Sequence, residues 1–338
     1  MPAPWNFESQ KITARNLVLT PNKQAAAGTA TLAADMTRRQ KFDGSAVFEL
    51  KQTRYSDKTM AGKGTEFATQ GQVTGWDLSG GFKGDLDDYM AGWILAFLMG
   101  KDVITGAAAP YSHAISFDET TTQAPMTSIY LADTNDVLWT LIDMGVVDVT
   151  LTIPARGPIT FEINFIGTGH YTNGAIANLP ALPASYAYLL GSDCVFSIGA
   201  PGATVSKVGR HMSTTIKIST GAVNHTAPGL GLYGAFIRTG LRKVSFQTTI
   251  AATSADDVFT VLKNDTLQEL NWTVTSGASS LILDMPAVHL KSAKIGASGN
   301  MVVWQIDGDE TTILNQGGAG VLNATVANSQ ATAYLIAA

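Results

Sequence analysis

Cysteine occurs once in the 338 residues, at Cys194, so no disulfide can form within the chain. That excludes the small disulfide-framed secreted folds and fits folding in a reducing cytoplasm. Charge is scarce too: Asp, Glu, Lys and Arg make up 14% of the chain, against about 25% in ordinary soluble domains. No apolar run approaches the ~18 residues of a membrane-spanning helix, so no membrane partner is expected. The N-terminus, MPAPWNFESQK, has no basic stretch leading into an apolar one, so no secretory signal is visible. Without a secretory route, triplets such as Asn271-Trp272-Thr273 carry no glycosylation meaning. A net charge of −5 argues against a general nucleic-acid binder.

The motifs of catalysis are missing as well. Gly229-Leu230-Gly231-Leu232-Tyr233-Gly234 matches G-x-G-x-x-G, but a dinucleotide site needs a strand before it and a helix after it. Here 224–228 (NHTAP) precedes and a strand-like 235–240 (AFIRTG) follows, so a flexible loop is expected. His113, His170, His211, His225 and His289 show no metal-ligand spacing to one another, to Cys194 or to carboxylates. Asp307-Gly308-Asp309-Glu310 lacks the ligand alternation of a calcium loop and reads as a turn. No nucleophile elbow, phosphate loop or H-E-x-x-H is present. The residues therefore give no catalytic, cofactor-binding or metal site.

What fills the chain is apolar and small polar. Hydrophobic residues make up 45%, enough for a sizeable core. A surface poor in charge and rich in Thr, Ser, Ala, Gly and Asn suits a protein that covers itself with its own copies. The charge is also uneven. Residues 1–54 hold Lys11, Arg15, Lys23, Arg38, Arg39, Lys41, Lys51 and Arg54 against Glu8, Asp35, Asp43 and Glu49, eight against four or +4, which leaves −9 on the remainder.

Most of the sequence alternates with period two. Clear stretches are 11–19, 45–52, 146–153, 159–166, 213–219, 241–250, 281–285 and 301–306, rich in β-branched and aromatic residues and separated by Gly, Pro, Asn and Asp. That pattern predicts an antiparallel sandwich or barrel. Two segments read as helices. Residues 85–98 open with acids suited to a helix N-terminus and continue apolar nearly all round, which predicts burial. Residues 254–262 repeat the theme in shorter form, with Ser254 as the expected N-cap.

These helices point to an internal duplication. A shift of 168 residues places Phe48 and Leu50 on Ile216 and Ile218, and Trp76, Leu78 and Phe82 on Val244, Phe246 and Ile250. Each half reads strand, long loop, strand, acid-capped helix, strands. The expected division is an N-terminal arm over 1–44, a first β unit over 45–180 and a second over 181–338, joined near the Pro-containing 178–185 (NLPALPAS). The Gly/Ala/Asn-rich 317–328 is expected to be loop, with a last strand in 331–336.

Several stretches resemble the phage tail tube proteins of long-tailed phages. These are 45–50 (SAVFEL), 76–82 (WDLSGGF), the helix closing in Leu98-Met99-Gly100, 111–115 (YSHAI), 123–131 (QAPMTSIYL) and the hairpin 145–167 (GVVDVTLTIPARGPITFEINFIG). In the second half, 213–223 and 240–262 carry the likeness. The resemblance implies a mainly β chain of duplicated tube-type sandwich or barrel units, each flanked by an α-helix, with no catalytic residues. It implies a structural virion protein made in the host cytoplasm. Inner sheets would join into a barrel around a channel for DNA, with the tail terminator, tail tip and tape-measure proteins as further partners. A duplicated chain would close a pseudo-sixfold ring as a homotrimer; a homohexamer is the other arrangement.

On that reading, the non-core phase of the inner strands faces the lumen: Glu49, Asp77, Ser79, Lys217, Ser245 and Gln247. Lys217 is the misfit and is expected to pair with a carboxylate. Arg38, Arg39 and Lys41 are the expected contacts between stacked rings, on an arm with little strand pattern. The alternative from another class is a carbohydrate- or receptor-binding β-domain of a tail fibre or secreted protein. Against it, Trp76, Trp93, Trp139, Trp272 and Trp304 each sit in an apolar pattern that favours the core.

Overall fold

The computed structural model describes residues 16–19, 22–30, 38–41, 47–56, 71–132, 137–173, 180–227, 229, 231–315, 318 and 320–337. The chain is mainly β. It begins with strands β1 (Asn16–Leu19), β2 (Asn22–Lys23), β3 (Arg38–Lys41), β4 (Val47–Ser56) and β5 (Gly71–Asp85), followed by helix α1 (Asp88–Met99). Next come β6 (Gly100–Thr105), β7 (Tyr111–Phe117), β8 (Met126–Ala132), β9 (Val137–Pro154), β10 (Thr160–Gly167) and β11 (Tyr171–Asn173). The second half holds β12 (Cys194–Ala200), β13 (Ala203–Ser206), β14 (His211–Ser219), β15 (Val223–His225), β16 (Phe236–Arg238) and β17 (Lys243–Ala251). After helix α2 (Val258–Lys263) come β18 (Gln268–Ser276), β19 (Ser279–Val288), β20 (Ser292–Ser298), β21 (Met301–Gly308), β22 (Asn323–Asn328) and β23 (Ile336–Ala337).

Two large sheets draw strands from both halves. The larger runs β20-β21-β17-β14-β9-β10-β5-β4, with β8, β11, β1 and β3 branching from the long strand β9. The other runs β13-β12-β18-β19-β22-β7-β6. Every step along the eight-strand path is antiparallel. Within the path each half contributes its strands in the same order. The first half gives β4-β5-β10-β9 and the second β14-β17-β21-β20, so each places its first strand, second, then a hairpin in reverse. The two sets meet at β9 and β14, where Leu151 lies opposite Ile216 and Val149 opposite Ile218.

The strand registers correspond only to within a two-residue slip: Phe48 pairs with Gly80, whereas Ile216 pairs with Phe246. The sequence shift of 168 set Phe48 with Gly80 over Ile216 with Thr248, two residues from the pairing formed. An even slip leaves each side chain on its own face, so Leu78, Phe82, Phe246 and Ile250 all point to the core.

The core is continuous across the halves. Trp93, Phe161 and Ile163 belong to the same buried cluster as Ile216, Phe246 and Trp272. Within it, Trp272 Nε1 donates to Thr214 Oγ1 at 3.0 Å, and Thr214 shares a hydrogen bond with Thr248.

Helix α1 starts three residues later than expected, because Asp87 takes the N-cap. Its side chain accepts from the Met90 N–H at 2.9 Å, and Gly100 closes the helix in the left-handed region. All twelve residues are buried. Helix α2 is shorter than the predicted 254–262: Asp257, not Ser254, is the cap, accepting from Thr260 N–H at 3.0 Å. Ahead of it, Asp256 turns back onto Thr253, Lys207 and Arg210. The stretch 317–328, expected as loop, instead ends in β22. Its Ala324 and Val326 are buried between β19 and β7, so tertiary pairing overrides a composition that favours turns. The last strand falls at β23, paired in parallel with β2. Of the expected strand at 11–19, β1 covers 16–19 and the rest lies outside the described residues.

Candidate functional site

Alternation gives the large sheet two unlike faces. Even-numbered residues of β5, β14 and β17 enter the core; the odd-numbered residues form the opposite face. All six lumen candidates fall on that opposite face. Glu49 lies beside Ser79, and Asp77 pairs across with Lys51. Lys217 lies beside Ser245, and Gln247 beside Thr215. One row crosses the sheet from Lys83 through Glu162, Thr150 and Lys217 to Ser245. The next runs from Asp85 through Thr160, Thr152, Thr215 and Gln247 to Asp307.

The expected carboxylate partner of Lys217 is not beside it. Its row neighbours are Thr150 and Ser245, and Glu162 stands two strands away, about 10 Å. Elsewhere the face is self-satisfying. Glu49 and Lys51 pair at 3.2 Å, Asn164 donates to Asp148 at 2.9 Å, and Asn224 donates to Asp77 at 3.0 Å. A trough of about 560 Å³ runs over β5, β9 and β10, lined by Lys83, Asp85, Thr150, Thr152, Thr160 and Glu162 among others. Two adjacent glycines, Gly80 and Gly81, lie where a side chain would strike the backbone of β4 and β10.

Arg38 and Arg39 are built into the protomer. Arg38 lies on β3, bonds Asp87 at 3.2 Å and stacks over the rings of Tyr89 and Tyr186. Gln40 donates to the same carboxylate at 3.1 Å. Burial pushes the Asp87 carboxyl above the ordinary carboxylate value, against the pull of Arg38. Arg39 is 8% exposed. Lys41 pairs through its backbone with Asn16, and its side chain lies outside the described residues. Sequence reasoning missed this anchoring because Asp87 was read only as a helix-start acid.

The remaining reactive groups have structural surroundings. Burial pushes the Cys194 thiol up to about 12, which keeps it from acting as a thiolate. Burial likewise holds His211 down at about 4 beside Thr214. In the acidic turn, Asp309 binds Lys291 and Glu310 binds Lys243 at 3.1 Å. Gly229 and Gly231 both adopt positive φ in a turn, and strand β16, not a helix, follows. Among the described residues no group of three or more His, Cys, Asp or Glu side chains could hold a metal ion. No helix among them is long and apolar enough to cross a membrane.

The large antiparallel sheet thus has an apolar face in the core and an opposite face rich in polar side chains. The chain belongs to the phage tail tube protein family, whose sequence model matches residues 18–326. It is thus a structural component of the virion tail. No curated protein matches the chain.

Proposed function

We propose that three copies of the chain close a ring, that rings stack into a tube, and that the polar face of the large sheet lines a channel through which DNA passes. The observation that carries this is the β9–β14 junction. There the last strand of the first set meets the first strand of the second, antiparallel and in register. The equivalent junction for the second set joins its last strand, β20, to the next copy's β4. Among the described residues, β20 pairs only with β21 and β4 only with β5. Seven antiparallel steps leave β4 and β20 running in opposite directions, so a copy added at either edge continues the alternation. Such closure removes the exposed edges that otherwise invite disordered association.

The surfaces at the two edges agree. Ile295 of β20, 54% exposed, shares the core-side face with Trp304 and Ile306. Beside β4 an apolar groove lies open between Phe48, Leu50, Leu131, Trp139 and Tyr171 on the same side.

The repeated strand order supports the duplicated units of the sequence reading, and with them a trimer. Three copies give 24 strands. At ~4.8 Å spacing and ~40° tilt that closes a barrel of about 48 Å backbone diameter, with about 5 Å of side chain on each wall. Six copies of eight strands would give about 96 Å, far wider than one duplex requires. The face suits passage: lysines alternate with carboxylates and hydroxyls, so no positive run would hold a polyanion. The carbohydrate-binding reading keeps little aromatic platform: Trp93, Trp272 and Trp304 are buried, while Trp139, expected in the core, is 36% exposed and lies in the apolar groove beside β4 that the ring contact would cover.

Stacking by the basic Arg38, Arg39 and Lys41 against an acidic face requires Arg38 to exchange Asp87 for a carboxylate of the next ring. Electron microscopy with native mass spectrometry tests the whole reading. Three chains per ring are expected, with tubes shortening at ~1 M salt, where the Debye length falls to about 3 Å. Six chains per ring would overturn the trimer. Tubes of unchanged length in salt would assign stacking to apolar burial.

A further inference from the structure

Two carboxylate–imidazole pairs hold segments near the two ends of the described chain: Asp102–His113, fully buried, and Asp143–His170, whose ring is 29% exposed. The C-terminal segment 329–337 crosses α1 and β7. Tyr334 is its anchor: fully buried, it packs where a Cβ on residue 92 would overlap its ring, and Gly92 leaves that space. Its hydroxyl meets Asn328 Nδ2 at 2.7 Å, and its backbone N–H donates to Asp102 at 2.6 Å. Beyond it, β23 pairs with β2. The N-terminal segment is fixed separately. Asp143 accepts from Gln24 Nε2 at 2.9 Å, from the Gly28 N–H and from Thr168, and lies 3.1 Å from His170 Nδ1.

We infer that the His113–Asp102 pair is a proton-controlled latch on the C-terminal segment, and that its opening also frees β2. Both His113 nitrogens meet acceptors. Nδ1 lies 3.2 Å from each Asp102 oxygen, and Nε2 lies 3.0 Å from the Gln330 carbonyl. A carboxylate and a carbonyl only accept, so both bonds form when both ring nitrogens carry protons. Loss of one proton turns a lone pair toward an acceptor. Either Asp102 is left as a buried charge without its counterion, or Gln330 loses its donor, and both side chains of the pair are 0% exposed.

Two tyrosines and an aspartate also lie near the pair. Burial pushes the Tyr334 hydroxyl well above the ordinary phenol range, and its ring packs against Tyr89 at 5.3 Å. On α1, the Asp88 carboxylate accepts from Ser279 at 2.7 Å. Histidine is the side-chain type whose ordinary titration lies nearest neutral pH. The closed latch binds one proton more than the open one, so it is complete at low pH and weakens as pH rises.

Hydrogen exchange read by mass spectrometry from about pH 5 to about pH 8, corrected for intrinsic rates, tests this on the full chain. Protection of 329–337 is expected to fall with rising pH by up to about tenfold per unit, the limit for one linked proton. Residues 22–23 should open with it, while 24–28 stay protected by Asp143. In His113→Gln the pH dependence should vanish. Protection that is flat with pH, a dependence that survives in His113→Gln, or a tail that opens without 22–23 would each overturn the latch. Should that variant not fold, nitrogen NMR of the wild-type ring decides: protons on both His113 nitrogens support the latch, and a bare nitrogen at low pH refutes it.

Discussion

The two helices occupy corresponding places in the two halves, yet they end in opposite environments. Each follows the second strand that its half adds to the large sheet and leads into a hairpin. All twelve residues of α1 are buried, whereas none of the six in α2 is. The difference lies in what the rest of the chain lays over them. α1 packs against strands of both sheets and carries the C-terminal segment with Tyr334 in the Gly92 notch. α2 packs against β20, with Phe259 edge-on to Trp304 at 4.7 Å and still 48% exposed. Place in the strand order fixes where a helix forms; coverage by distant segments fixes how much stability depends on it.

Truncating each helix's large aromatic should widen that contrast most. Trp93→Ala removes a fully buried indole and is expected to cost about 3–5 kcal/mol. Phe259→Ala should stay within about 1 kcal/mol. Denaturant midpoints read the difference, and equal losses would show that α2 is buried in the folded protein.

The caps should differ in the same sense. Asp87→Ala strips a buried carboxylate from Arg38, Gln40 and the Met90 N–H, an expected loss of about 3–5 kcal/mol. Asp257→Ala removes an exposed cap, worth about 1 kcal/mol. If the two variants melt alike, Arg38 contributes nothing through Asp87.

A pH slope within the second half gives a further contrast. His211 is held at about 4 when folded, against about 6.5 when unfolded. Between these values the unfolded chain binds the extra proton, so stability should fall as pH drops from about 6.5 to about 4. His211→Asn should flatten that part of the profile in urea titrations, and an unchanged slope would assign it to other groups.

Period-two alternation carried much of the fold. It set which side chains of β5, β14 and β17 enter the core, and so placed Glu49, Asp77, Ser79, Lys217, Ser245 and Gln247 together on the other face. It could not identify β22, whose small and polar residues become a strand only between β19 and β7. Nor could it show that Arg38 meets Asp87, or that His113 meets Asp102 and Gln330. Those partners are distant along the chain or, like Asp102 and His113, are brought together only by a hairpin register. Whether a charged residue belongs to a surface or to a clasp depends on tertiary coverage, which local pattern does not encode.

The β9–β14 junction has a kinetic consequence. In a three-chain ring of six sheet junctions, half would form as each chain folds, its partner strands tethered at an effective concentration reaching about millimolar for a short flexible link. Two encounters and one closure would then complete what six separate units would need five encounters and one closure to build. Each encounter would carry the orientational entropy of a larger rigid body only once. A chain of this design should nucleate rings at lower concentration than its halves expressed apart, and a partial ring should have fewer places at which to fall open.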